Sequence, residues 1–434
     1  MSRKLPLLVC MLSIVASFLA AQTTPPPSET KDAELKFVVY LSRHGVRSPT
    51  ASPAQYSVYS AAPWPAWDVP PGHVTAHGFE LMKLFGAYDR SELAEEGLLS
   101  AAGCGDSGRV TIVADSDQRT RETGRAIAAG LYPGCAIPVH ALPEGTADSL
   151  FHTDPLHFDP ADPSPAAAAI AGRIGGNPAN LTEAYRSQLA ALDRILATCG
   201  VTPSARQHQR TSLFDIPASL STGKGDHPAE LRGPLNTAST LVEILLLEYA
   251  QGMDASSVGW GCVDGAKLRS LMELHSVAAD FNQRTPAIAR VQASNLLEQI
   301  RISFEQAATG KPVPGAVGKP LDRVLFLVGH DTNLANVAGL LNLTWIADGR
   351  RDDTPPGGAL VFELWKYRKS EEYSVRTYFT VQTLEQMRSG SEVTLTHPPE
   401  RVPVFLPGCS GPDYFCSWPA FKQAIEAAIA PGKP

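Results

Sequence analysis

Two arginines and a histidine lie within five positions of this sequence, at Arg43, His44 and Arg47, directly after the apolar run LKFVVYLS. Side chains that carry or can carry positive charge repel one another, so this spacing costs free energy unless an anion lies between them. Each guanidinium can donate a planar fork of N–H groups to phosphate oxygens, and a neutral imidazole between them can attack phosphorus. The segment therefore predicts an anion site. The alternative is a solvated turn of basic residues.

Two other segments show the same order of an apolar run followed by charged residues. GRVTIVADS at 108–116 precedes DQRTRETG, in which Arg119 is the candidate for a third guanidinium of the site. DRVLFLVGHD at 322–331 ends on His330 and Asp331, at the predicted start of a helix. A helix N-terminus attracts anions, and a carboxyl group there can act as a general acid. Asp331 also suits a helix N-cap, and the two roles are compatible.

The three apolar runs predict parallel strands of one sheet. Val, Ile, Leu and Phe follow one another almost without a break in each run, which is typical of strands covered on both faces. Each run leads into a helical pattern, so crossover helices are expected to connect parallel strands. Ligands of such sheets bind beyond the carboxyl ends of the strands. The charged residues of all three segments are therefore expected to meet at one edge of the sheet.

The chain between the second and third runs predicts a separate helical domain, with helical patterns such as the one at 179–200. The predicted fold class is α/β, with a mixed, mainly parallel sheet flanked by helices and an inserted all-α domain. The α/β domain takes residues 36–155 and 286–434, and the α-helical domain takes residues 156–285. Two later runs, ALVFELWKY and YSVRTYFTVQTL, predict a hairpin.

The N-terminal residues predict an export signal. Two basic residues precede a short apolar stretch, and the small residues Ala20 and Ala21 follow it. We therefore predict a signal peptide at 1–21 and a flexible N-terminus at 22–35. The apolar stretch is short for a membrane-spanning helix, although an uncleaved anchor is the alternative. The expected location is the periplasm or the exterior, with no membrane association after signal removal.

The charge balance bears on the kind of partner that the chain can bind. The sequence has 44 acidic and 37 basic residues, for a formal net charge of −7. Removal of the predicted signal segment takes away two basic residues and makes the chain more acidic. An acidic exported protein is not expected to bind nucleic acid. Any basic site must therefore be local.

The seven cysteines predict disulfides. Cys10 lies in the predicted signal segment and leaves six, an even number in an exported chain. Three pairs are predicted. Cys409 and Cys416 are close in sequence, and Cys104 and Cys135 flank one strand–helix unit. Cys199 and Cys262 pair by elimination. A metal site is the alternative role for the cysteines, but no C-x-x-C or H-x-x-x-H spacing supports it.

The motif R-H-G-V-R-S-P at 43–49, together with H-D at 330–331, resembles the histidine acid phosphatase family, branch 2 of the histidine phosphatase superfamily. Within that family the chain is most similar to the periplasmic phytases of enteric bacteria. The resemblance extends over about residues 36–430 and includes the segments IVADSDQRTRETG, AQGM, FNQRTP, GHDTNLANVAGLL and DDTPPGGALVFE. The family fold is an α/β domain with a separate α domain, and the family's site lies in the cleft between them.

The resemblance implies a phosphomonoester hydrolase, acting on the small molecule inositol hexakisphosphate, that needs no metal or organic cofactor. His44 would be the nucleophile, forming a phosphohistidine that water then hydrolyses, and Asp331 would be the proton donor. The residues that would bind the scissile phosphate are Arg43, Arg47, Arg119 and His330. Thr50 and Arg284 (in FNQRTP) match positions that touch the rest of the substrate. A monomer and an acidic pH optimum are expected, because the acid form of Asp331 declines with rising pH.

Two departures from the family pattern leave questions open. The phytase branch has a lysine directly after the threonine of R-H-G-V-R-x-P-T, where this chain has Ala51. Cys199 matches a family position, whereas its usual nearby partner is absent and Cys262 is extra. Three alternatives to a phytase stay open: an exported acid phosphatase or glucose-1-phosphatase of other or broader preference, a phosphoglycerate-mutase-like enzyme, and a non-enzymatic protein that binds phosphate esters. Ala51 keeps the first open, whereas export and the long helical insertion weigh against the second.

Overall fold

The computed structural model describes residues 32–153, 164–201, 210–223 and 228–430, so the predicted signal segment lies outside the described residues. The strands are β1 (Ala33–Arg43), β2 (Val110–Ala114), β3 (Val139–His140), β4 (Ser219–Thr222), β5 (Ala229–Arg232), β6 (Val324–Gly329), β7 (Ile346–Ala347), β8 (Arg350–Arg351), β9 (Ala359–Tyr367), β10 (Tyr373–Val381), β11 (Glu400–Pro403) and β12 (Phe415–Ser417). The α-helices are α1 (Pro53–Tyr56), α2 (Ala76–Glu95), α3 (Gln118–Leu131), α4 (Ser164–Arg173), α5 (Ala179–Ala184), α6 (Arg186–Thr198), α7 (Pro234–Ala250), α8 (Gly265–Asn282), α9 (Pro286–Thr309), α10 (Asp331–Leu341), α11 (Leu384–Ser389) and α12 (Trp418–Ile429). None of the helices in these ranges combines the length and the apolar character that crossing a membrane requires.

A mixed sheet organises the α/β part of the chain. Its strand order is β11-β10-β9-β1-β6-β2-β3, and β12 pairs with β10. Strands β1, β6, β2 and β3 run parallel, whereas β9 joins β1 in antiparallel fashion and forms the predicted hairpin with β10. The prediction of a mixed sheet with parallel strands flanked by helices is therefore confirmed.

Helices cover both faces of this sheet. Successive side chains of a strand point to opposite faces, so each strand contributes to two layers of packing. On one face, Phe37, Val39 and Leu41 of β1 pack with residues of α9, α10 and α12. On the other face, Val38 and Tyr40 pack with residues of α2 and α3. All five side chains are buried. Burial on both sides explains why the run is apolar throughout rather than alternating.

A second apolar core lies among α4, α5, α6, α7 and α8. The chain between α6 and α7 also contains the antiparallel hairpin β4–β5, so the part predicted to be all-α is not purely helical. The single helix predicted at 179–200 is two helices, α5 and α6, which meet at Tyr185. Helix α9 packs mainly against α10 and α12 beside the sheet. The predicted domain boundaries at 155/156 and 285/286 remain predictions.

Three disulfides join the cysteines in the pairs that the sequence predicts, which are Cys104–Cys135, Cys199–Cys262 and Cys409–Cys416. Their Cα–Cα distances are 5.8, 6.2 and 5.1 Å, within the usual range for a disulfide. The pair Cys199–Cys262 links the end of α6 to the segment before α8. This bridge therefore closes within the helical part of the chain.

The register of the parallel strands brings the three charged segments to one edge of the sheet. Arg43 at the end of β1 lies beside Gly329 at the end of β6. Ala114 at the end of β2 lies beside Val328 of the same strand. His330 follows Gly329 directly, so the residues after all three strands face a common region. This region is the cleft between the sheet and the helical part.

Candidate active site

His44 lies at the floor of this cleft, which has a volume of about 950 Å³, and its residue surface is 1% exposed. Its Nδ1 lies 2.9 Å from the carbonyl oxygen of Gly45, so Nδ1 carries the proton and donates. Nε2 then holds the lone pair of the imidazole. The Nε–H group of Arg47 donates to that atom at 3.4 Å. The electron pair that could attack phosphorus therefore faces the arginines.

The surroundings of His44 keep its ring neutral. Burial lowers the pKa of His44 well below its ordinary value, because the charged ring would lose its hydration. The positive charges of Arg47, Arg43 and Arg119 lower the pKa further. A nucleophilic imidazole must be unprotonated. The site therefore maintains the reactive form of His44 into the acidic range.

The loop that carries His44 packs closely on the start of α2. A Cβ atom at Gly45 would lie 2.8 Å from Cγ of Met82 and 3.0 Å from the carbonyl oxygen of Gly78. The backbone N–H group of Gly45 donates to Oγ1 of Thr123 in α3 at 2.9 Å. Glycine is therefore needed at position 45 because the backbone must pass next to α2. These contacts hold His44 in place.

Arg43 and Arg47 converge on one carboxylate, that of Glu243 in α7. Arg43 is fully buried; it donates through Nη2 to Oε1 of Glu243 and through Nη1 to the carbonyl oxygen of Thr354 at 2.7 Å. Nη2 of Arg47 donates to the same Glu243 oxygen at 2.9 Å. Burial opposes ionisation of Glu243, but the charges of Arg47 and Arg43 outweigh it and hold its pKa below the usual value. The anion that the sequence requires between these arginines is therefore, in this structure, a carboxylate of the protein itself.

Sequence reasoning missed Glu243. The residue lies in the apolar stretch LVEILLLEYA, where an acidic residue among buried neighbours is the one available signal. Glu248 gives the same signal five positions later and has another role. Its Oε2 accepts a hydrogen bond from the backbone N–H group of Gly259 at 3.0 Å. The tertiary packing of α7 distinguishes the two residues, and their sequence context does not.

Asp331 is the first residue of α10 and faces Arg43 across the cleft floor. Its Oδ2 lies 3.4 Å from Nη2 of Arg43, and its Oδ1 accepts a hydrogen bond from the backbone N–H group of Thr332 at 2.9 Å. The N-cap of α10 is His330, so Asp331 does not serve in that position. Its second carboxylate oxygen therefore remains directed to the arginines.

The charge state of Asp331 depends on what else occupies the site. Burial raises the pKa of Asp331, but the positive charges of Arg43, His275 and Arg47 outweigh it and place the pKa well below the ordinary value. His275 is buried in α8, with Nδ1 3.0 Å from Oγ of Ser239. The side chains of the site alone thus hold Asp331 as a carboxylate. A bound anion would neutralise the arginines and raise this pKa.

Asp115, which follows β2, orients His330. Nε2 of His330 donates to Oδ2 of Asp115 at 2.5 Å, which leaves Nδ1 of His330 3.4 Å from Nη2 of Arg119. Arg119 in turn pairs with Asp117 at 2.5 Å. The ring centroids of His330 and His44 are 5.7 Å apart. The structure thus brings Arg119 and His330 together beside His44.

The same oxygen of Asp115 also lies 3.0 Å from Nε2 of His152. In the part of the chain that the structure describes, Asp115, His152 and His330 are the one group of three potential metal ligands with their atoms close together. The 2.5 Å separation of the His330 nitrogen and the Asp115 oxygen is that of a short hydrogen bond. Two ligands held about 2.0 Å from one metal ion lie farther apart than this. The group therefore forms a hydrogen-bond network that positions His330, and sequence reasoning missed both Asp115 and His152.

Thr50 lies on the wall of the cleft, as the family resemblance implies. The next residue, Ala51, packs against the apolar core of the helical part. Where the phytase branch has a lysine, this chain therefore has a methyl group on the apolar core, and position 51 brings no charge to the cleft.

Arg284 does not line the cleft in the structure, and its contact with the rest of the substrate stays a prediction. The Arg284 guanidinium donates to the carbonyl oxygen of Leu343 and lies 3.8 Å from the carboxylate of Asp352. Its neighbours Asn282 and Gln283 line the cleft. Gln292, two turns into α9, lines the cleft instead.

Residues 34–380 match the family described as histidine phosphatase superfamily (branch 2). The chain is 36% identical to phytase AppA of Escherichia coli (strain K12), over 98% of each chain. It is 29% identical to the glucose-1-phosphatase of Salmonella typhimurium, over 96% of each chain. The likeness therefore spans both the sheet and the helical part.

Solved structures of bacterial phytases share the fold. Hafnia alvei phytase in complex with myo-inositol hexakis sulphate has a TM-score of 0.81 and 35% identity, and the match covers 92% of this chain and 98% of that one. The phytase of Citrobacter braakii has a TM-score of 0.80 and 36% identity, with the same coverage. Together with the arginine-flanked histidine at the ends of the parallel strands, these matches establish that the chain belongs to branch 2 of the histidine phosphatase superfamily, the histidine acid phosphatases.

Proposed function

We propose that this chain hydrolyses phosphomonoesters through a phosphohistidine on His44, and that inositol hexakisphosphate is its principal substrate. The observation that carries the proposal is the state of His44, a buried and neutral imidazole whose Nε2 lone pair faces the arginines. The three guanidiniums that surround it belong to Arg43, Arg47 and Arg119. This is the arrangement that a nucleophile needs to approach a phosphate dianion.

In the first step the scissile phosphate binds among the arginines in front of Nε2 of His44. A bond forms between this nitrogen and phosphorus as the ester P–O bond breaks. Arg43 and Arg47 donate to the equatorial oxygens of the phosphoryl group and stabilise their charge in the transition state. His330, held by Asp115, lies beside Arg119 at the edge of this phosphate position. The product of this step is a phosphohistidine and an alkoxide that requires a proton.

Asp331 supplies that proton to the leaving oxygen. Because the surrounding cations keep Asp331 ionised before substrate binds, its proton must arrive with the substrate. A phosphomonoester carries one below its second pKa, which is near 6. The arginines that bind the phosphate favour its dianion, and the dianion beside Asp331 raises the pKa of that carboxyl, so the proton passes from the phosphate to Asp331. In the second step water attacks phosphorus, the N–P bond breaks, and the Asp331 carboxylate takes the proton of the water. An acidic optimum follows from this sequence of events.

The preference for inositol hexakisphosphate is supported by the size and charge of the cleft and by the relatives. A volume of about 950 Å³ is at the upper end of the usual range for small-molecule sites. The chain is more similar to phytase AppA than to the glucose-1-phosphatase of Salmonella typhimurium, at 36% against 29% identity. Hafnia alvei phytase, with 35% identity, binds a hexakis sulphate in its crystal structure.

Phosphate release from inositol hexakisphosphate and from glucose 1-phosphate, measured at several pH values, tests the proposal. We expect a higher kcat/KM for inositol hexakisphosphate and a maximum at acidic pH. A higher kcat/KM for glucose 1-phosphate would indicate that the chain is a glucose-1-phosphatase rather than a phytase. Binding of both esters without turnover would make it a binding protein, and a rate that rises steadily above neutral pH would contradict the role of Asp331.

Export of the chain is part of this proposal. The three disulfides are consistent with an oxidising compartment, because cytosolic thiols are kept reduced. The predicted signal segment would be removed after Ala21. N-terminal sequencing of the protein purified from the producing cells should start at Gln22, and a mature protein that starts at Met1 would contradict cleavage.

A further inference from the structure

The helical part of the chain contributes one arginine to the cleft that the scissile-phosphate site does not use. Arg232 is the last residue of β5 and lines the same cleft as His44, Arg47 and Arg119. In the described part of the chain its guanidinium pairs with Glu230, with Nε 2.7 Å and Nη2 2.6 Å from Oε1. Both side chains of this pair are open to solvent, the Arg232 side chain being 67% exposed.

The backbone at Arg232 is fixed, although the side chain can move. The hairpin register pairs Arg232 with Ser219. The carbonyl oxygen of Leu231 accepts a hydrogen bond from Nδ2 of Asn236 in α7. Asn236 in turn accepts one from Nδ2 of Asn282, at the end of α8, at 2.9 Å. The position from which the Arg232 side chain extends is therefore tied to both long helices of the cleft wall.

Helix α7 fixes how far Arg232 lies from the scissile-phosphate site. The helix begins at Pro234, two positions after Arg232, and carries Glu243, whose carboxylate binds Arg43 and Arg47. Nine residues of helix span about 14 Å at 1.5 Å per residue. The long side chain of Arg232 can shorten this distance. A ligand that touches both ends must therefore carry a second anionic group, away from the phosphate at His44.

Resting on the proposed function, we propose that Arg232 binds a phosphate of the substrate other than the one being hydrolysed, and so favours polyphosphorylated substrates over single monoesters. Its present partner is an exposed carboxylate, and exposed ion pairs contribute little to stability, so exchange of Glu230 for a phosphate costs little. A phosphate group carries nearly two charges and three acceptor oxygens, which makes it the stronger partner. Ala51, on the apolar core, brings no competing cation to the cleft.

The substitution Arg232→Ala tests this assignment, with inositol hexakisphosphate and p-nitrophenyl phosphate as substrates. We expect kcat/KM for inositol hexakisphosphate to fall about fivefold relative to that for p-nitrophenyl phosphate, mainly through KM, as for the loss of one partly exposed charge-assisted contact. Arg232→Lys should lose less, because it keeps the charge. Glu230→Gln should lower KM for inositol hexakisphosphate, since it frees the guanidinium. The Arg232→Ala effect should shrink with added salt.

Arg186→Ala is the matched control, because Arg186 is also an exposed arginine of the helical part paired with a glutamate, Glu183. It should leave the ratio of the two kcat/KM values unchanged. An equal ratio in wild type and Arg232→Ala, with unchanged thermal unfolding, would overturn the inference while leaving the proposed function intact. A wild-type enzyme that hydrolyses p-nitrophenyl phosphate but not inositol hexakisphosphate would overturn the proposed function, and the inference with it.

Discussion

Oε1 of Glu243 accepts a hydrogen bond from Nη2 of Arg47 at 2.9 Å, at the place where a substrate phosphate must bind. The same oxygen accepts from Arg43, so one carboxylate holds both guanidiniums. It relieves the repulsion between the cations and keeps them oriented towards the cleft. A phosphate that enters the site must share or replace this carboxylate as their partner.

Substitution Glu243→Gln should therefore strengthen phosphate binding. With the competing charge removed, we expect the Kd of inorganic phosphate, measured by isothermal titration calorimetry, to fall about tenfold, a difference of about 1.4 kcal/mol. The phosphate-free protein should lose about 3 kcal/mol of stability, because the buried arginines lose their counter-ion. Glu248→Gln, in the same helix but outside the cleft, should leave the Kd unchanged. Weaker phosphate binding by Glu243→Gln would show that the carboxylate assists the ligand rather than competing with it.

Substitution Asp331→Asn should discriminate between leaving groups. An alkoxide leaving from inositol needs a proton, whereas p-nitrophenolate leaves without one. We expect kcat for inositol hexakisphosphate to fall about 100-fold or more and kcat for p-nitrophenyl phosphate to fall much less. Equal losses for both substrates would mean that Asp331 serves the structure of the site and does not transfer a proton.

The pH dependence of kcat/KM should reflect the depressed pKa of His44. Since burial and the arginines keep this imidazole neutral well below pH 6.5, acidification does not remove the nucleophile. Acidification increases the fraction of the substrate monoanion, and therefore the fraction of enzyme–substrate complex in which Asp331 is protonated. For p-nitrophenyl phosphate, whose leaving group needs no proton from Asp331, kcat/KM should therefore be maintained as the pH is lowered from 7 into the acidic range. A tenfold decrease for each pH unit below 6.5 would indicate a nucleophile with an ordinary histidine pKa.

Glu248 should make the stability of the folded chain depend on pH. Burial raises its pKa to about 8, and its Oε1 has no hydrogen-bond partner among the described residues. The unfolded chain ionises this residue near pH 4.3, so the stability that protonated Glu248 contributes is complete below that pH and is lost as the pH rises through about 8.

The variant Glu248→Gln removes this dependence, because glutamine stays uncharged and still accepts from the backbone of Gly259. Chemical denaturation should give similar stabilities for variant and wild type at pH 4, and a variant more stable by up to about 3 kcal/mol at pH 7. A difference that does not change between these pH values would contradict a buried, protonated Glu248.

Much of the fold and part of the candidate site could be predicted from the sequence. Parallel strands buried on both faces leave a continuous apolar run, and polar residues directly after such a run lie at the edge where ligands bind. This rule alone is enough to predict that His44, Arg119 and His330 meet at one edge of the sheet. It could also have indicated Asp115, which follows β2 in the same way.

The residues that the sequence could not place depend on how separate elements pack. Glu243 reaches the site from the middle of an apolar helix, and Glu248 in the same helix does not. Arg284 and Gln292 are eight residues apart, and of the two only Gln292 lines the cleft. Neither distinction has a local signal, because each is decided by how the helices and the segments before them pack. Arg232 likewise depends on the hairpin β4–β5, which the helical pattern of its neighbours concealed.

Phosphoenzyme trapping tests the central claim most directly. The enzyme is mixed with ³²P-labelled substrate, quenched within a single turnover, and digested, and the labelled peptide is identified by mass spectrometry. We predict an acid-labile, alkali-stable label on His44, and no label in His44→Ala. A label on another residue, or a labelled His44→Ala enzyme, would contradict nucleophilic attack by His44.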